Sequence, residues 1–125
     1  MTPDYEELIA RWHSLAGQDK IAIACAFGDE SLALLKAMLE QALNNSDDLP
    51  ATMDADEFAE IVFDLRENER AWSRRLGDTI INADDLDRQG ERNKAILSLE
   101  EFGRICPWRF FAEIAVVEQG RYAQS

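Results

Sequence analysis

Residues 54–88 read DADEFAEIVFDLRENERAWSRRLGDTIINADDLDR, and the pattern of this segment is the clearest indication of the fold class. Its apolar residues recur mostly three, four or seven positions apart, which is the period of one face of an α-helix. Asp54 and Glu57 have the spacing of a capping box, with Asp in place of Ser or Thr, so we expect the helix to open at Asp54. The apolar line consists of Phe58, Ile61, Val62, Leu65, Trp72, Leu76, Ile80, Ala83 and Leu86.

Small and polar residues predict where the helices begin and end. Thr2 is expected to cap the first helix and Gly17 to stop it. Asp29 is expected to cap a later helix. Gly77 is expected either to interrupt the helix that opens at Asp54 or to mark a close packing contact, and Gly90 lies in a turn.

The fold class predicted from these patterns is all-α. Residues 21–27 are compatible with a buried strand or a short buried helix; three alanines and the lack of a second convincing strand favour helix. The 125 residues, 46% of them hydrophobic, are enough for one self-sufficient core. We therefore predict one domain over residues 1–125, a compact bundle or irregular array of five to six helices, with 119–125 as a frayed tail.

The charge restricts the class of partner. The chain has 25 acidic and 13 basic residues, a net charge of −12. Binding to nucleic-acid phosphates or to an anionic membrane needs a basic surface, so neither is expected. One His and two Cys are too few for a structural zinc site, and a calcium loop starting at Asp54 lacks its glycine. We predict no metal and no cofactor.

Catalytic motifs are not recognisable in the sequence. Cys106 before Pro107 could lie at a helix N-terminus that lowers its pKa, and His13 is the one histidine, but no cysteine-enzyme motif surrounds them. We predict that the protein is not an enzyme. Cys25 and Cys106 lie among apolar residues and are expected to be buried and reduced. The reduced thiols, the acidic N-terminus and the lack of an apolar run long enough to cross a bilayer together predict a cytoplasmic protein.

Acidic residues are concentrated in the first part of the chain. Residues 1–70 hold 16 acidic and 5 basic residues, and no basic residue occurs between Lys36 and Arg66. Like charges three or four apart on a helix repel each other, and a sequence selected only for stability would more often place Lys among them. The pattern therefore indicates a docking surface for a basic protein. A merely solvated face is the alternative. The predicted contact residues are Asp47, Asp48, Asp54, Asp56, Glu57, Glu60 and Asp64.

In size, charge and helical pattern the sequence resembles the small acidic immunity proteins of bacterial toxin–immunity systems. The resemblance implies an inhibitor that neutralises one cognate basic toxin, such as a nuclease, through its acidic surface. Two alternatives remain open. One is a phage- or plasmid-encoded acidic inhibitor that mimics nucleic acid; the other is a helical adaptor or homodimer with no antagonist role, which predicts an exposed apolar patch. The sequence does not decide between monomer and homodimer.

Overall fold

A computed structural model describes residues 3–43, 49–50 and 52–123. Within these ranges the chain forms six helices and no strand, which confirms the predicted all-α class. The segment for which a strand remained conceivable, residues 21–27, contributes to the short helix α2. The helices are α1 (Pro3–Ala16), α2 (Lys20–Cys25), α3 (Asp29–Gln41), α4 (Ala55–Arg88), α5 (Arg92–Ile105) and α6 (Arg109–Ala123).

The chain divides into two compact units, Met1–Asn68 and Glu69–Ser125. Helix α4 is continuous across the boundary, so its first turns belong to the first unit and its later turns to the second. The expectation of one domain over residues 1–125 stays a prediction.

The first unit is organised around apolar residues from four helices. Helix α1 packs against α3. Phe27, which follows α2, places its ring 5.1 Å from that of Phe58 on α4. The period of three to four residues on α1, α3 and α4 is therefore satisfied by burial of one face of each helix. The largest fully buried side chains of this unit are Trp12, Ile23, Leu35, Met38, Phe58 and Val62.

The second unit contains the later turns of α4 together with α5 and α6. Helix α5 packs against α6, and the ring of Trp72 on α4 makes an edge-on contact with Phe102 on α5 at 5.8 Å. A buried cluster joins all three helices and consists of Ala83, Ala95, Leu99 and Tyr122.

Two glycine stops are confirmed and one cap is not. Helix α1 ends before Gly17, whose amide donates to the carbonyl of His13 at 3.0 Å. Gly90 adopts a φ of 82°, and the bond from the amide after it to the carbonyl of Leu86 completes a Schellman turn. The predicted cap at Asp29 is wrong because Asp29 is already helical and Gly28 holds the cap position. The cap proposed at Thr2 lies outside the described residues.

The expectation for Gly77 is wrong in both of its forms. Helix α4 continues through this residue to Arg88. A Cβ atom built on Gly77 meets nothing within 4 Å, so no close packing requires a glycine there. Hydrogen bonds on either side maintain the helix despite the poor helix propensity of glycine.

The predicted frayed tail is wrong for residues 119–123. Helix α6 extends to Ala123, and Tyr122 is only 9% exposed because its ring joins the buried cluster of the second unit. The polar residues around Tyr122 concealed this anchor in the sequence. Its burial gives the last turn of α6 an apolar contact with α4 and α5.

Candidate protein-binding surface

The start of α4 determines which side chains reach solvent. The carboxylate of Asp54 accepts a hydrogen bond of 2.8 Å from the amide of Glu57, which confirms Asp54 as the helix cap. This register points Phe58 and Val62 into the core, where both are fully buried. The acidic residues between and beside them must then point outward.

Five acidic residues are exposed in the opening turns of α4, and we call them the α4 acidic face. Sequence reasoning selected all five, and their exposure agrees with positions off the apolar line. Asp47 and Asp48, which were predicted to belong to the same surface, lie outside the described residues. The α4 acidic face consists of Asp54, Asp56, Glu57, Glu60 and Asp64.

The charges of this face are largely uncompensated. Glu60 forms an ion pair with Lys20 at 3.3 Å, but the two side chains are 69% and 46% exposed. An ion pair as exposed as this contributes no more than about 1 kcal/mol. Within the described part of the chain, Asp56, Glu57 and Asp64 form no ion pair. The face therefore presents a negative field to solvent.

Lys20 is the basic residue beside the face, and two contacts fix its position. Its Nζ atom bonds Glu60 on α4 and also lies 4.7 Å from the centroid of the Phe63 ring. Both partners belong to the first turns of α4, so a cation from α2 is held against that helix.

A groove of about 340 Å³ lies between α2 and the first turns of α4, and we call it the α2–α4 groove. Sequence reasoning missed it. Ile21 and Ile23 are two residues apart on α2, so they point to different sides: Ile23 is fully buried and Ile21 is 79% exposed. The signal available in the sequence was Lys20, the one Lys or Arg between Arg11 and Lys36. The groove is lined by Lys20, Ile21, Ala24, Cys25, Asp56, Ala59 and Glu60.

The two cysteines, both free thiols, have opposite surroundings. Cys106 is buried as expected, but Cys25 is exposed on the wall of the α2–α4 groove, so its predicted burial is wrong. Cys106 follows the C-terminus of α5 instead of leading a helix, and its Sγ donates to the carbonyl of Trp108 at 3.6 Å. Burial raises the pKa of the Cys106 thiol, which opposes the thiolate that a nucleophile needs.

The expectations about enzymatic activity, metals and cofactors stay predictions. His13 is exposed on α1, as its place off the apolar line predicts. Among the described residues, no group of three or more His, Cys, Asp or Glu side chains is placed to hold a metal ion. No helix in the same ranges combines the length and apolar character needed to cross a membrane.

Comparison with protein-family models, curated proteins and solved structures gives no match to this chain.

Proposed function

We propose that this protein is an inhibitor that binds a basic protein through the α4 acidic face, in the manner of an immunity protein that neutralises a cognate toxin. The observation that carries the proposal is the row of exposed carboxylates with little compensation on α4. Neighbouring like charges on a helix cost a few tenths of a kcal/mol per pair. A basic partner would relieve this repulsion, and the field would also accelerate its association.

The same proposal places the protein in the cytoplasm of a bacterial cell, where it would meet a toxin before the toxin acts. A nuclease toxin suits the charge, because the basic groove that binds nucleic acid is complementary to an acidic surface. Occupying that groove, or a surface beside it, would block the substrate.

The test is capture of partners from a lysate of the source cells by the immobilised protein, at low and then moderate salt. The expected result is one basic protein that survives moderate salt and is toxic when expressed alone but harmless when this chain is expressed with it. Release of many nucleic-acid-binding proteins together would instead indicate the mimic of nucleic acid, because binding to such surfaces falls steeply with salt. Capture of no basic protein would refute the proposal.

A matched pair of variants separates the face from overall charge. Reversing Glu57, Glu60 and Asp64 to Lys should abolish capture while leaving helicity and melting temperature nearly unchanged, since all three are exposed. The control reverses three acids of the second unit, which changes the net charge equally and should leave capture intact. Equal losses in both variants would mean that net charge, not this face, is responsible. The control residues, also exposed, are Asp78, Asp85 and Glu100.

One observation favours a second candidate, a homodimer or adaptor without an antagonist role. Helix α6 exposes three branched apolar side chains: Ile114 is 42% exposed, Val116 61% and Val117 67%. Covering such apolar surface lowers the free energy of the protein in water, which favours association. Light scattering across a concentration series decides the homodimer form: association that Val117→Lys abolishes would support it, and a monomer at high concentration would exclude it.

A further inference from the structure

We propose that the α2–α4 groove receives an arginine side chain of the basic partner, with the alkyl stem on Ile21 and the guanidinium on Asp56. This inference rests on the proposed function and names the chemistry that the binding surface recognises. It follows from two parts of the lining. The aliphatic residues Ile21, Ala24 and Ala59 are called the floor, and the carboxylates Asp56 and Glu60, of which only Glu60 is paired within the described residues, are called the rim.

The floor of the groove is apolar. Ile21, Ala24 and Ala59 line it, and Ile21 exposes 79% of its surface to solvent. Covering this side chain with hydrocarbon releases the water against it, which favours an occupant with an apolar portion. The three-carbon stem of an arginine provides that portion while its charged end stays at the rim.

The rim of the groove selects the charge of the occupant. Glu60 is already paired with Lys20, and the contact between Lys20 and Phe63 holds that pair in place. Asp56 forms no ion pair in the described part of the chain. A neutral apolar occupant would cover Asp56 without a partner for its charge, which is unfavourable. A cation compensates Asp56 and leaves the Lys20–Glu60 pair intact.

Arginine fits the groove better than lysine for two reasons. Its planar guanidinium bonds both oxygens of a carboxylate, and it is more weakly hydrated than an ammonium group, so it loses less when it lies against an apolar floor. The compact ammonium of lysine keeps its water and would remain outside the groove.

Cys25 provides a direct probe of occupancy because its exposed thiol lines the groove. The rate at which iodoacetamide alkylates Cys25 is measured with an octa-arginine peptide, with an octa-lysine peptide and without peptide, at physiological salt. We expect octa-arginine to slow the alkylation in a saturable way and octa-lysine to have a clearly weaker effect. Equal protection by the two peptides, or no protection by octa-arginine, would overturn the inference.

Two exposed positions on the groove have matched controls on the later turns of α4. The affinity for octa-arginine is obtained from the concentration dependence of Cys25 protection. Ile21→Ala should weaken this affinity about fivefold, since it removes most of the apolar floor. Asp56→Asn should weaken it about threefold, since it removes the charge that pairs with the guanidinium. Ile81, 65% exposed, and Asp85, also exposed, are far along the helix from the groove. Ile81→Ala and Asp85→Asn should change the affinity less than twofold. Losses of equal size at the control positions would refute a specific groove.

The outcomes for the groove and for the proposed function are distinguishable. Capture of a toxic basic protein together with unprotected Cys25 would refute the groove and keep the inhibitor. Selective protection by octa-arginine without capture of any basic protein would keep the groove as an arginine site and refute the inhibitor.

Discussion

Tyr122 gives the sharpest test of the packing of the second unit. Removing its ring by Tyr122→Ala leaves a cavity beside Ala83, Ala95 and Leu99, the other members of the buried cluster. Truncating a buried aromatic residue to alanine costs about 3–5 kcal/mol. Because the residue lies in the last turn of α6, where the chain can relax, we expect a loss of about 2–3 kcal/mol. In a chain of this length that lowers the melting temperature by roughly 10 °C.

The assay is urea unfolding followed by circular dichroism, with two controls. Tyr122→Phe retains the ring and removes only the hydroxyl, so it should cost about 1 kcal/mol or less. A chain ending at Tyr122 should be nearly as stable as the full chain, whereas a chain ending at Arg121 should lose as much as Tyr122→Ala. Equal stability of the two truncated chains would refute the anchoring role of this residue.

The raised pKa of the Tyr122 side chain makes the stability of the protein depend on pH. Burial raises the pKa of Tyr122, and the charge of Asp84 raises it further. At alkaline pH the folded chain therefore retains the phenolic proton of Tyr122 where the unfolded chain has lost it. The contribution of this residue to the free energy of unfolding is complete below the ordinary tyrosine pKa of about 10 and is lost as pH rises beyond it. Tyr122→Phe should remove this part of the alkaline decline in melting temperature; an unchanged decline would contradict the assignment.

Three further predictions concern single positions. Gly77→Ala should raise the free energy of unfolding by up to about 1 kcal/mol because alanine has the better helix propensity and its Cβ meets open space. Gly17→Ala should lower the free energy of unfolding by about 1 kcal/mol because its Cβ would lie 2.8 Å from a backbone oxygen of α1. In urea unfolding, a loss of stability in Gly77→Ala would contradict the first prediction, and a gain in Gly17→Ala would contradict the second. In the folded protein, mass spectrometry should find iodoacetamide on Cys25 and not on Cys106, and modification of both only in denaturant. Asp54→Ala should cost about 1 kcal/mol and Asp54→Asn clearly less, since Asn retains the capping oxygen; equal losses would mean that the cap is not the cause.

The start of α4 shows how much local sequence can predict about the candidate site. The apolar period placed Phe58 and Val62 inside, and the spacing of Asp54 and Glu57 located the cap. Once these are fixed, helical geometry alone directs the carboxylates between them outward. The exposure of the α4 acidic face was predictable for this reason, while its function as a binding surface stays a prediction.

The α2–α4 groove depends on residues that are far apart in sequence. Helix α2 spans only six residues, which is too short for its period to identify the buried face. Ile21 and Ile23 are equivalent in the sequence, and packing in the first unit buries one and exposes the other. The same packing leaves Cys25 open to solvent beside α4.

Local sequence was sufficient to predict the all-α class, most of the helix boundaries and the outward direction of the acidic residues on α4, because periodicity, caps and glycine stops act over a few residues. The different burial of Cys25 and Cys106 and the anchoring of Tyr122 depend on tertiary packing. In both cases the deciding neighbours lie outside the local pattern. Burial is a property of what packs against a residue, and no short stretch of sequence specifies that.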